Sequence, residues 1–199
     1  MISTAKETKK NSIIENSLKL FSKKGFYNTT IPDIAKAMKM SVGNMYNYFS
    51  SKEELAKYAI KYSTNILAAE LKKINQMDIS SKDKVYLFVR NYFENVKNSP
   101  EVVEYFLRVY LSNREVFKQG CEGFLCVGEF VTEVMILLDE GAQNKEFREQ
   151  EFFPAFAMIM GCLGGFAFLS GEAVLDKDIL EYSDSIADNI FRALKYEEQ

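Results

Sequence analysis

An all-α fold is what this 199-residue sequence predicts, and three observations carry it. Apolar residues recur three or four apart, the helical period, almost from end to end. Helix-start signals stand before several of these runs: Ser or Thr with an acid three residues on, or with Pro in the next turn. Nothing suggests strands, repeats or low complexity. The expected layout is an N-terminal three-helix helix-turn-helix domain over residues 1–52 and a larger helical domain over residues 53–199.

Ile13, Ile14, Ser17, Leu18 and Phe21 form one stripe, and Gly25 is the natural C-terminal stop of this first helix. Thr30 with Asp33 resembles a capping box, and Pro32 sits in the first turn, so a second helix is expected from about Ile31 to Met38. Ser41 opens a third, ending near Phe49, after a turn of Met38 to Met40. Ser51 with Glu54 is the capping box of a long fourth helix, from Lys52 to about Ile74. Further on, Ser81 is expected to cap a helix to Asn98, and Ser99 with Pro100 another to about Ser112. One helix or a broken pair covers Arg114 to Glu140, GAQNKEFRE is a turn, and Lys177 to Leu194 is amphipathic.

Charge divides the chain. Residues 1–52 hold nine Lys against Glu7, Glu15 and Asp33, a balance of +6, while the remainder has 16 basic and 25 acidic residues, a balance of −9. Such asymmetry points to a nucleic-acid-binding end and a second end with another task. The absence of histidine removes the commonest metal ligand and general base, so neither an enzyme nor a metal site is expected. No cofactor is expected either, since no phosphate-binding glycine loop appears. Cys121, Cys126 and Cys162 are an odd count, and Met1 to Asn11 carries no apolar signal-peptide core, which favours free thiols and the cytoplasm.

The helix-turn-helix pattern concentrates in SVGNMYNYFSSK, residues 41–52, which contains no acid. Met45 and Phe49 fall at i and i+4 and can pack inward with Met40, leaving Gly43, Asn44 and Asn47 on the outer face. Gly43 permits close approach to a bulky surface. Asn44 and Asn47 each offer donor and acceptor together, the pattern that reads an adenine edge in the major groove. Tyr46, Tyr48 and Lys52 can reach phosphates. Val42 either meets a thymine methyl or turns inward with Met45 and Phe49. The outer face is therefore expected to enter double-stranded DNA.

The run IIENSLKLFSKKGFYNTTIPDIAKAMKMSVGNMYNYFSSKEEL resembles the DNA-binding domain of the TetR family of bacterial repressors, with LF…KGF, TT…IA, S-x-G-x-x-Y-x-Y-F and SKEEL in the family's order. The resemblance covers roughly the first quarter of the chain. It implies that Thr30 caps a helix whose amides touch phosphate, that Val42, Gly43 and Asn44 enter the major groove on the helix opened by Ser41, and that Tyr46, Tyr48 and Lys52 hold the DNA backbone. Lys39 stands where the family usually has a turn glycine, so a non-glycine is expected in a left-handed conformation at a cost of about 1 kcal/mol, its charge facing DNA. Asn16 and Ser17 replace a pair of alanines.

The same resemblance implies a homodimer on a pseudo-palindromic operator and a second domain for ligand binding and dimerisation. Candidate walls for a small, largely apolar effector are Tyr92, Phe93, Tyr105, Phe106, Tyr110, Phe124 and Cys126, with Arg90, Arg108, Glu129 and Glu133 as polar handles. Residues 152–169, FFPAFAMIMGCLGGFAFL, are long and apolar enough to graze the lower limit of a membrane span. Their proline, glycines and acidic flanks favour a buried helix and no membrane. Ala157, Gly161, Gly164 and Gly165 would let a second helix approach, and together with Ile186 and Ile190 they are the expected dimer interface. A thiol-based redox regulator is the alternative to release by a ligand.

Overall fold

The computed structural model describes residues 5–118 and 125–196, without the side chain of Arg108. Ten α-helices are described: α1 Ala5–Lys24, α2 Ile31–Ala37, α3 Val42–Tyr46, α4 Lys52–Asn75, α5 Ser81–Asn98, α6 Pro100–Glu104, α7 Arg114–Phe117, α8 Gly128–Gln143, α9 Phe152–Gly171 and α10 Ser183–Leu194. A π-helical stretch, Tyr105–Tyr110, and a 3-10 turn, Leu111–Asn113, continue α6 without a break. Among the described residues there is no strand, only one antiparallel bridge between Phe147 and Lys195.

The chain forms two compact units, Met1–Thr64 with Glu101–Val127, and Asn65–Pro100 with Gly128–Gln199. The first is larger than the expected 1–52. Its core explains why: Phe21 from α1 meets Phe26 and Tyr105 at ring distances of 5.7 and 5.8 Å, and the Tyr105 hydroxyl donates to the Ala56 carbonyl at 2.9 Å. Ser17 is fully buried with its hydroxyl returned to the Ile13 carbonyl at 2.7 Å, so the polar residue in the first helix costs no unpaired group. Tyr62 donates to Glu15, which ties α4 to α1, and burial first, then that carboxylate, push its hydroxyl pKa up to about 12.

In the second unit α5 is the central element, touched by α8, α9 and α10. Val85, Phe88, Val89 and Phe93 fill its inner face. Its N-cap is Ser80, one residue before the expected Ser81, because Glu146 accepts from the Ser81 amide and hydroxyl at 2.9 Å each. At the end of α4, Lys84 is buried and donates to the Asn75 carbonyl at 2.8 Å and to Glu140 at 2.7 Å. The segment from Arg114 is broken, as one of the two expected forms: α7 ends at Phe117 and α8 begins at Gly128.

Within the single chain, helix α9 is buried along one face only. Ala155, Ile159, Leu163 and Ala167 are buried, but Phe153 and Phe168 are 64% and 58% exposed, and Ala157, Gly161 and Gly165 lie open between them. A spacing of four gives one covered stripe and one bare one.

Candidate nucleic-acid interface

Local chemistry builds this face. The Thr30 hydroxyl accepts from the Asp33 amide at 3.3 Å while the Asp33 carboxylate accepts from the Thr30 amide at 2.9 Å, a complete capping box. The Thr30 hydroxyl, then its amide, hold the Asp33 carboxyl below the ordinary range. Lys39 takes φ 52, the left-handed conformation expected where glycine is usual, and its side chain is exposed. Ser41 caps α3 by accepting from the Asn44 amide at 3.2 Å.

Helix α3 is shorter than expected, ending at Tyr46 with Asn47 as its C-cap, but its faces divide cleanly. Met45 and Phe49 are buried and Met40 is half-buried. Val42 is 38% exposed and faces outward, away from the buried Met45 and Phe49. Gly43, Asn44, Tyr46 and Asn47 are exposed with it, and Tyr48 is half-buried. The Asn47 side-chain amide leans on the Asn44 oxygen at 3.4 Å, leaving an amide donor on one residue and an oxygen acceptor on the other. A Cβ built on Gly43 meets nothing within 4 Å, so the glycine is not needed for packing within the chain.

Lys52 differs from the phosphate-reaching side chain expected. It is half-buried and donates to the carbonyls of Phe26 and Thr29 at 3.0 Å each. The capping box of α4 also differs. Ser51 accepts from the Glu54 amide at 3.0 Å, but the Glu54 carboxylate is taken by the amide and hydroxyl of Ser50, at 2.6 and 2.7 Å. Sequence reasoning also passed over Tyr27, 70% exposed and edge-on to Phe26, beside the Thr30 cap. An aromatic residue next to a capped helix start was the available signal.

The expected effector contacts are divided between the two units. Tyr105, Phe106, Tyr110 and Cys126 belong to the first unit, and Arg90, Tyr92, Phe93, Glu129 and Glu133 to the second. Phe124 and the side chain of Arg108 lie outside the described residues. Phe93 and Tyr105 are buried core, and Phe106 stacks on Tyr110 at 5.3 Å. Arg90 is not a polar handle turned inward: it is exposed and pairs with Glu94 at 3.4 Å along α5. Tyr92 is 4% exposed, and burial raises its pKa. Glu129 and Glu133 line an open groove of about 500 Å³ with Ala68, Ala69, Lys72, Gly128 and Thr132. Glu133 is engaged there, its carboxylate accepting from the Asn75 amide at 2.9 Å. A second groove, about 440 Å³, is lined by Glu70, Lys73, Ile74, Met77, Asn91, Glu94, Asn95 and Asn98 and contains none of the expected contacts.

Of the expected dimer residues, Ala157, Gly161 and Gly165 are exposed and Gly164 half-exposed. Ile186 and Ile190 are instead turned into the core of their own unit, because α10 lays its apolar face on α5. Free thiols were expected throughout; Cys162 is free, whereas Cys126 is disulfide-bonded.

Comparison with known proteins agrees with this geometry. Residues 13–59 match the bacterial regulatory proteins of the tetR family. The biofilm operon icaADBC negative transcriptional regulator IcaR of Staphylococcus aureus (strain Newman) is 30% identical over 106 residues, 51% of this chain and 52% of IcaR. The chain thus spans about half the length of this relative. The HTH-type transcriptional regulator YerO of Bacillus subtilis is 40% identical over 74 residues, 37% of this chain and 25% of YerO. Among solved structures, FadR from Bacillus subtilis in complex with stearoyl-CoA superposes with a TM-score of 0.78 at 17% identity, covering 92% of this chain and 98% of FadR. A capped helix pair with an acid-free outer face, the sequence match that spans it and the fold around it point the same way: residues 13–59 are similar to the bacterial regulatory proteins of the tetR family, and the chain shares the fold of FadR.

Proposed function

We propose that the protein is a dimeric, cytoplasmic DNA-binding repressor, released from a pseudo-palindromic operator by a small, largely apolar ligand. The observation that carries the reading is the outer face of α3, where Val42, Gly43, Asn44, Tyr46 and Asn47 stand exposed, without a carboxylate, over the buried Met45. Such a face can approach a polyanion closely and still offer amide donors and acceptors to base edges. IcaR, a negative regulator by name, supports repression. The stearoyl-CoA of the FadR complex supports an apolar effector. A symmetric dimer would set two α3 helices roughly 34–36 Å apart, one per half-site. A ligand favouring another separation lowers operator affinity by its differential affinity for the two states. The test is selection of bound duplexes from random DNA: a palindromic consensus is expected, and an unstructured pool after repeated rounds rejects the reading.

The bare stripe of α9 supports dimerisation through that helix, since contiguous exposed apolar surface of this kind marks interfaces. Gly161→Glu is expected to raise the dimer dissociation constant by more than about 100-fold, by burying an unpaired carboxylate. The single chain should fold as before, because a Cβ at Gly161 meets nothing within 4 Å. Sedimentation equilibrium reads the outcome, and an unweakened dimer would move the interface elsewhere.

A further inference from the structure

The first residue of α4 reaches back to the loop between α1 and α2. The Lys52 ammonium donates to the Phe26 and Thr29 carbonyls at 3.0 Å each and stands 4.2 Å from the centroid of the Phe26 ring. Both carbonyls belong to buried residues: Phe26 packs on Phe21, and the Thr29 hydroxyl donates to the Gly25 carbonyl at 2.8 Å. Two of the three ammonium donors are thereby used, and the ring face takes up part of the charge. Swinging this side chain to a phosphate would take the ammonium from both carbonyls and leave that of Phe26 with the Thr29 amide alone, at 3.3 Å. A charge-assisted hydrogen bond is also stronger than a neutral one, so the arrangement resists opening. Lys39, by contrast, is exposed at the turn between α2 and α3.

We infer that Lys52 is a positioning residue of the DNA-binding face, a staple on the α1–α2 loop that sets α2, and through α2 the attitude of α3, and not a phosphate ligand. The packing supports each link. Thr29 immediately precedes the Thr30 cap of α2, and α2 in turn packs on both α1 and α3. The inference rests on the DNA-binding reading above, but the staple itself is a property of the free protein.

Lys52→Met keeps the apolar stem and removes the donors. Operator affinity is measured against KCl for the wild type, K52M and K39M, together with backbone amide exchange in the free proteins. K52M is expected to weaken binding about tenfold, the order of a lost charged hydrogen bond, with the salt slope unchanged. Its Thr29 and Asp33 amides should exchange about tenfold faster while those of α5 and α10 keep their rates, which separates a local staple from general destabilisation. K39M should lower the slope by about 1, as loss of a phosphate contact does. A slope lowered by about 1 in K52M, or unchanged exchange at Thr29 and Asp33, overturns the inference. Should K52M not fold, Lys52→Gln is read in the same way. If the wild type binds no duplex, the DNA-binding reading falls, and the exchange comparison alone still decides the staple.

Discussion

Replacing Gly141 by alanine is expected to cost about 3 kcal/mol of folding stability, the upper range for overpacking a core. Gly141 lies near the end of α8 directly beneath the ring of Phe147, where an added Cβ would overlap the Cγ, Cδ2 and Cε2 atoms. The ring has nowhere to go. It is 1% exposed, lies edge-on to Phe191 at 6.2 Å, and its own amide donates to the Gly141 carbonyl at 2.9 Å. The backbone around it is held as well, since the Arg148 amide donates to the Leu194 carbonyl at 2.8 Å and the Tyr196 amide to the Glu146 carbonyl at 2.9 Å. Helix propensity works the other way, favouring alanine over glycine by about 1 kcal/mol, and is outweighed. Urea unfolding measures the difference: a lower midpoint with the slope retained is expected, and a stabilised variant would mean that the ring does not lie over α8. Gly141→Ala combined with Phe147→Leu should recover part of the loss, because the two positions share one volume.

The largest effect on activity is expected from Gly43→Glu, a loss of operator affinity exceeding about 100-fold with the melting temperature unchanged. The two halves of this expectation have separate causes. A Cβ at Gly43 meets nothing within 4 Å, and the residue is helical, so the free protein accommodates the longer side chain. On DNA the same side chain would occupy the point of nearest approach and bring a carboxylate to a face that has none. Fluorescence anisotropy on a selected duplex reads the affinity, with Gly43→Lys as the control for bulk without repulsion. Wild-type affinity in Gly43→Glu would remove α3 from the groove.

What could be read in advance follows from how far apart the interacting groups lie in the chain. The Thr30–Asp33 box, the Ser41 cap and the Gly25 stop at φ 81 all involve partners within four residues, and spacing alone identifies them, whereas the left-handed Lys39 was legible only through the family resemblance. The same logic misfired where two neighbours compete. Ser80 and Ser81 are equivalent as caps until Glu146, 65 residues away, claims the second. Ser51 loses the Glu54 carboxylate to Ser50 beside it. The partners of Lys52 lie 23 and 26 residues back, so its charge suggested a phosphate when its hydrogen bonds lead to carbonyls. On α10 the apolar period was legible, yet the period does not say which surface it meets, and Ile186 and Ile190 meet α5. The effector contacts were the least legible, because a run of aromatic residues reads alike whether it fills a core or lines a cavity.

Helix α9 has a thermodynamic consequence. Twenty residues with Phe153 and Phe168 bare on one side leave much apolar surface in water if the chain stays alone. In the proposed dimer a second copy would cover it, which would make folding and association a single equilibrium and bring mass action into the apparent melting point. The transition midpoint should therefore climb as the sample is made more concentrated, and dilution alone should loosen the protein.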